Sequence, residues 1–137
     1  MTQFTSPETP INRPAEAIYH FLSDFNNFSS LIPADRIKNY ESTRETCSFS
    51  IENMPAFHLR MGENIPVSKV VMIPQNPQGI AFTLTTHITP TASANSVITV
   101  NLAAELNSFL RMVASKPLQA FINNLAEQLK QVMEQGE

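Results

Sequence analysis

The chain has 137 residues, a formal net charge of −3, ten prolines, three glycines and one cysteine, and 42% of its residues are hydrophobic. This length supports one domain over residues 1–137 with a substantial buried core. Slight acidity without a basic cluster argues against a nucleic-acid partner, and a lone cysteine excludes an internal disulfide and a cysteine-built metal site.

The longest apolar runs are short, as at residues 70–73, so no integral membrane association is expected. The first residues lack a basic stretch followed by an apolar one, which predicts a cytoplasmic protein. Proline is the main punctuation. Residues 2–8, rich in Thr and Ser around Phe4, read as a strand. Asn12-Arg13-Pro14-Ala15-Glu16 reads as a helix start, with proline tolerated in the first turn and Glu16 near the positive end of the helix dipole. The helix is expected over residues 15–24, with Ile18, Phe21, Leu22 and Phe25 along one side. Asn26-Asn27 should break it, and residues 28–32 should add one helical turn stopped by Pro33.

The middle reads as strands. Residues 36–42 form the first, and Cys47, Phe49 and Ile51 then alternate with Ser48, Ser50 and Glu52, the pattern of a strand with one buried face. After a turn at Asn53-Met54-Pro55, Phe57, Leu59, Met61 and Ile65 alternate with His58, Arg60 and Asn64. A tight connection at Pro66 leads to a strand over residues 68–73, and residues 74–79 turn the chain. Phe82 and Leu84 alternate with Thr83 and Thr85, residues 89–95 read as a polar loop, and Ile98, Val100 and Leu102 alternate with Thr99 and Asn101.

From Leu118 onward, Leu118, Phe121, Ile122, Leu125, Leu129 and Val132 fall at helical spacing and share a face with Ala126 and Met133. Before Pro117 the apolar set Leu106, Phe109, Leu110, Val113 and Ala114 lies on a face turned by roughly 100°. A proline inside a helix removes one hydrogen bond and clashes with the preceding turn. The segment therefore reads as one helix, or as two helical pieces meeting near Lys116-Pro117. The later piece should grip a sheet as core, while residues 109–114 lean across a cavity mouth. Replacing Pro117 with alanine should then change ligand capacity more than folding. The order of strand, two short helices, about six strands and a long helix predicts an α+β fold with an antiparallel sheet of about seven strands.

That order resembles the START-like superfamily, also called SRPBCC, which includes birch-pollen-allergen-like proteins, polyketide cyclases and lipid-transfer domains. The matching residues are the first-helix segment from Arg13-Pro14-Ala15 to Leu22-Ser23-Asp24, then Phe25-Asn26-Asn27-Phe28 and Pro33. The stretch Leu110-Arg111-Met112-Val113-Ala114-Ser115-Lys116-Pro117-Leu118-Gln119 looks like the terminal helix of a bacterial polyketide-cyclase-like subgroup. The resemblance implies a helix-grip fold, in which a curved antiparallel sheet wraps around the long C-terminal helix, often with an apolar cavity between them. Glycine-rich loops near the mouth and a Trp after the first helix, common in the family, are missing from this chain.

Candidate chemistry is sparse. His58 and His87 have the parity of the outer strand face, His20 lies on the first helix, and no pair has metal-ligand spacing. Cys47 shares the inward parity of Phe49 and fits a small hydrophobe; a reactive thiolate would need an electropositive neighbour, for which Arg44 is the candidate. Asp24 reads as a cap for the turn around residues 27–30, whereas a catalytic carboxylate would need burial and a partner. Counting by twos from Phe57 places Glu63 on the inward face, where it would orient a polar ligand head, unless a bulge before Pro66 turns it outward. Tyr40 is a further inward candidate, and Met54, Met61, Met72, Met112 and Met133 supply adaptable filling.

The expected function is non-catalytic binding of a hydrophobic small molecule or lipid between sheet and terminal helix, with no catalytic residue, cofactor or metal. The expected ligand-binding residues are Phe49, Ile51, Leu59, Met61, Glu63, Phe82, Leu84, Val100, Phe109, Met112, Val113, Pro117 and Phe121. The alternative, from the resemblance, is a cyclase or dehydratase acting on an aromatic or polyketide substrate. An interaction module would require a large exposed apolar patch, and a homodimer through an edge strand stays open.

Overall fold

The structure is a computed structural model that describes residues 2–31, 37–51, 56–74 and 82–135; at 37, 51, 56, 57, 82, 110 and 114 it describes backbone only. The elements are β1 (Thr2–Thr5), β2 (Thr9–Ile11), α1 (Ala15–Leu22), α2 (Phe25–Phe28), a 3-10 turn (Ser29–Leu31), β3 (Ile37–Ser42), β4 (Thr46–Ile51), β5 (Ala56–Met61), β6 (Lys69–Pro74), β7 (Phe82–Ala92), β8 (Asn95–Ala104) and α3 (Ser108–Gln135). They build an eight-stranded antiparallel sheet in the order β1-β8-β7-β6-β5-β4-β3, with β2 also on β8. The sheet wraps around α3, which packs on β8, β1, β2 and the 3-10 turn. This is the α+β helix-grip architecture expected from the order of elements. The expected turns at Pro33, at Asn53-Met54-Pro55 and over residues 75–79 lie outside the described residues.

Strand alternation turns into rungs across the concave face. Register pairs Phe4 with Leu102, Leu102 with Leu84, Leu84 with Met72 and Met72 with Met61. All are buried except Met61, which is half-buried. On the helix the buried set is Leu118, Phe121, Ile122, Leu125, Ala126, Leu129 and Met133, the stripe read from the spacing.

β1 and β2 are one edge strand interrupted by a bulge: Thr5 faces Asn101 and Thr9 faces Ile98, so the edge carries one residue more than β8. Buried Ser6 bridges the interruption. Its N–H donates to the Val100 carbonyl at 2.8 Å, and the Val100 N–H donates to Ser6 Oγ at 2.9 Å, the hydroxyl standing in for a ladder carbonyl. Along the same edge, Gln119 Nε2 donates to the Thr5 carbonyl at 3.2 Å and Lys130 Nζ to the Pro10 carbonyl at 2.8 Å. Glu134 accepts the Asn12 N–H at 3.0 Å, and this bond, followed by Lys130, holds its carboxyl below the usual range. A polar stripe of α3 thus occupies backbone groups that an exposed edge would offer to another strand.

Two expectations at element ends are corrected. The first helix ends at Leu22, and Asn26-Asn27 lies inside α2 and does not break a helix. Asp24 is the cause: its side chain accepts the Asn26 N–H at 2.9 Å, so the carboxylate caps a new helix one residue after an extended backbone. The expected polar loop over residues 89–95 is mostly strand, since β7 runs to Ala92 and β8 starts at Asn95. Ile88 and Ile98 are the last buried apolar pair of this hairpin, so the strands beyond them lack the inward apolar pattern that reveals a strand.

The β5–β6 connection carries backbone strain. Ser68 N–H donates to the Ile65 carbonyl at 3.0 Å around Pro66-Val67, and Val67 has φ 69°. Positive φ at the third turn position ordinarily calls for Gly or Asn, and a β-branched residue there is strained. Val67→Gly is expected to stabilise the fold by about 1 kcal/mol. Urea unfolding would show a higher midpoint at unchanged slope; a lower midpoint would refute the strain.

Candidate ligand-binding site

Register places the starts of β3, β5 and β7 and the ends of β4, β6 and β8 at one end of the sheet, as the pairs Ile37–Ile51, Leu59–Pro74 and Phe82–Ala104 show. The chain leaves β8 here and begins α3 at Ser108. Asn107, Ser108, Phe109, Arg111, Met112 and Val113 are all exposed, whereas from Leu118 the helix is seated in the core. The first two turns of α3 therefore overhang this end of the grip.

Beneath the overhang, sheet and helix meet through rings. Phe49 and Phe121 stack at 6.0 Å between centroids and 27° between planes. Phe49 continues to Tyr40 at 6.1 Å and to Phe28 at 6.4 Å. This stack ties β4 to α3, β3 and α2 inside the grip.

Of the expected binding residues, Phe49, Leu59, Leu84, Val100 and Phe121 are buried between sheet and helix, and Met61 lies half-buried at the end of their rung. Pro117 is half-buried at the joint. The backbone of Ile51 and of Phe82 lies in β4 and β7; their side chains fall outside the described residues. Glu63 is a correction: β5 ends at Met61, Glu63 is exposed, and Ile65, which the same alternation placed inward, is 51% exposed. The strand period stops where Gly62 donates its N–H to Val71 and the chain turns away. Phe109, Met112 and Val113 are also corrected. At 100° per residue Phe109 lies about 180° from Leu118, and the three side chains are 68%, 80% and 51% exposed. They face solvent from the outer side of the helix and do not line the interior.

The sequence reading did not place Met72, Leu102, Phe28 and Phe4 in this wall. Leu102 carried the right parity. Met72 was hidden because Val70, Val71, Met72 and Ile73 are all apolar, so the run shows no alternation.

Titratable groups on the concave side, among the described residues, reduce to Tyr40 and Cys47. The Tyr40 hydroxyl donates to the Phe25 carbonyl at 2.7 Å; burial raises its pKa above the usual range, and the neighbouring Cys47 adds to this. Burial pushes the Cys47 thiol up to about 12, against smaller opposing effects from Tyr40 and the Leu59 backbone. Cys47 is thus a protonated packing group, the bland alternative of the sequence reading, and Arg44 is exposed. His58 and His87 are exposed as their parity implied, and His20 lies 3.9 Å from Glu16 on the surface of α1. No group of three or more potential metal ligands occurs among the described residues.

The thiol makes stability pH-dependent. Above pH about 9 the unfolded chain releases the Cys47 proton while the folded chain keeps it, so stability falls as pH rises towards about 12. The expected slope is about 1 kcal/mol per pH unit. Cys47→Ala should lessen the fall in the midpoint of urea unfolding between pH about 9 and about 10, leaving the fall at higher pH that the buried Tyr40 hydroxyl contributes with the same sign; an equally steep fall between pH about 9 and about 10 in that variant would assign the dependence to other groups.

Two open depressions of about 420 and 530 Å³ lie outside the grip, one between α1 and the end of α3, the other at the rim of β4 and β5 beside Arg44 and Arg60.

An antiparallel sheet gripping a C-terminal helix, with two short helices after the first strands, is the START-like, or SRPBCC, fold. Solved structures bear this out: a START superfamily protein from Mycobacterium smegmatis matches with a TM-score of 0.70 at 15% identity, over 98% of this chain and 99% of that one. Norcoclaurine synthase from Thalictrum flavum, in complex with a transition state analogue, matches at 0.69 and 14% identity, over 99% and 98%. The di-domain ARO/CYC BexL of the BE-7585A biosynthetic pathway matches at 0.64 and 10% identity, over 94% of this chain and 46% of that one. At these identities the likeness is one of fold. No family model and no curated protein matches the sequence. No described helix is long and apolar enough to cross a membrane.

Proposed function

We propose that the protein binds a hydrophobic small molecule or lipid between the sheet and α3, without catalysing a reaction on it, in the cytoplasm. The observation that carries this reading is the inner face itself. A continuous apolar rung from Phe4 to Met61 faces a helix whose first turns overhang the open end, and the titratable groups beside it are an engaged phenol and a protonated thiol. Such a surface offers apolar burial at about 25 cal/mol per Å² and few directional bonds. The START-like fold supports the ligand-binding part of the reading, because the structures that share it include a synthase with a bound transition state analogue; the non-catalytic part rests on the inner face alone.

The fold likeness to an ARO/CYC protein favours a second reading, a cyclase or dehydratase acting on an aromatic or polyketide substrate. It requires at least two titratable side chains converging on the substrate. Tyr40 and Cys47 are adjacent, but the phenol is committed to the Phe25 carbonyl and neither group is a base near neutral pH. Native mass spectrometry of freshly purified protein, followed by displacement of a fluorescent apolar probe, separates the readings from failure. A co-purifying apolar compound or saturable displacement supports binding, and absence of both overturns it.

A further inference from the structure

We propose that the Thr86 hydroxyl binds an uncharged oxygen, of an alcohol or a ketone, on the hydrophobic molecule held between sheet and α3. This rests on the interior-binding reading and adds the chemical class of its ligand. Thr86 is 2% exposed and stands in β7 between buried Leu84 and Ile88, so its side chain shares their inward parity. Across the sheet it pairs with Val70 and Val100, both fully buried. It is thus one rung from Leu84 and directly beside Val100, two of the expected binding residues.

Three hydroxyl side chains are buried among the described residues: Ser6, Thr86 and Ser96. Ser6 Oγ accepts the Val100 N–H at 2.9 Å and donates to the Pro7 carbonyl at 3.2 Å. Ser96 Oγ donates to the Arg13 carbonyl at 3.0 Å. The Thr86 hydroxyl has no hydrogen-bond partner among the described residues. Valine has nearly the same shape and branching, suits a strand equally well, and would put no polar atom among these apolar neighbours. Threonine here costs the fold stability, and a ligand oxygen offsets that cost by supplying a partner. A hydroxyl both donates and accepts, so it serves an alcohol or a ketone. A charged head is disfavoured, because Val70, Leu84, Ile88 and Val100 around the position supply no counter-charge.

The test is displacement of the fluorescent probe N-phenylnaphthylamine from the full chain by two matched pairs, decanol against undecane and naphthol against methylnaphthalene. Thr86→Val should weaken decanol, naphthol or both roughly five- to tenfold, the loss of one buried hydrogen bond, and leave the hydrocarbons and the probe unchanged. Thr86→Ser, which keeps the hydroxyl, should retain the preference for the oxygenated member of the pair. The urea midpoint of Thr86→Val should match or exceed that of the parent protein, which also shows that the variant folds. Unchanged binding of decanol and naphthol in Thr86→Val overturns the proposal, as does their failure to bind a parent protein that takes up the hydrocarbons. An equal loss for the hydrocarbons overturns it by reducing Thr86 to a matter of shape. A lower urea midpoint overturns it too, because the hydroxyl would then be satisfied within the fold alone. All these outcomes leave interior binding standing; a parent protein that takes up neither the probe nor any of the four compounds overturns both.

Discussion

Phe49→Ala is expected to destabilise the fold by about 3–5 kcal/mol, the range for removing a buried ring from a core that cannot close around the gap. Phe49 is 1% exposed and touches the rings of Phe28, Tyr40 and Phe121. Each contact joins a different part of the chain: Phe28 from α2, Tyr40 from the edge strand β3, and Phe121 from α3. No single neighbour can move into the space without leaving its own partners, so relaxation is limited and the cavity term stays large. The Phe49–Phe121 contact is also where sheet and terminal helix meet face to face, at 6.0 Å and nearly parallel. A double-mutant cycle with Phe121→Ala should show a coupling of about 0.5–1.5 kcal/mol beyond simple area burial. Urea unfolding of the four proteins measures both quantities. A loss below about 1 kcal/mol in Phe49→Ala would mean that the rings border open space rather than one another. The site would then extend deeper than the stack.

Periodicity made the architecture legible because the sheet buries one face only. Cys47, Phe49 and Leu59, and Ile98, Val100 and Leu102, announce their strands by parity. The stripe from Leu118 to Met133 did the same for the helix. The misreadings share a cause: a local pattern was extended past the point where the backbone changes direction. Glu63 and Ile65 were counted by twos through Gly62, where β5 has already ended. Asn26-Asn27 looked like a break because asparagines disfavour helix interiors, yet the Asp24 carboxylate starts a helix through them. Phe109, Met112 and Val113 were assigned to the mouth because they are apolar. Apolar residues on a helix do not have to face its core, and the offset of their face from the later stripe was the available signal that they do not. The bridge made by Ser6 was beyond reach, because it depends on which strand pairs with residues 2–11.

Pro117→Ala is expected to stabilise the fold by about 2–3 kcal/mol, close to the full difference between proline and alanine inside a helix. Pro117 lies inside a single helix running from Ser108 to Gln135, so it has no N–H for the Val113 carbonyl one turn earlier. Alanine supplies that donor and removes the ring from the carbonyl it crowds. Little else should be lost, since Pro117 is half-buried and the buried stripe begins only at Leu118. The sequence alone suggested an effect mainly on ligand capacity; the continuous helix adds an effect on folding of at least the same importance. Proline at this boundary separates a seated segment from an overhanging one, and the missing hydrogen bond lowers the resistance to bending between them. Restoring the bond should stiffen the overhang and slow exchange of an apolar probe about tenfold, by making each opening costlier by roughly 1.4 kcal/mol. Thermal or urea unfolding reads the first effect, and stopped-flow probe displacement reads the second. Raised stability with unchanged exchange would leave Pro117 a packing feature of the helix. Raised stability with slowed exchange would make the start of α3 the gate of the grip.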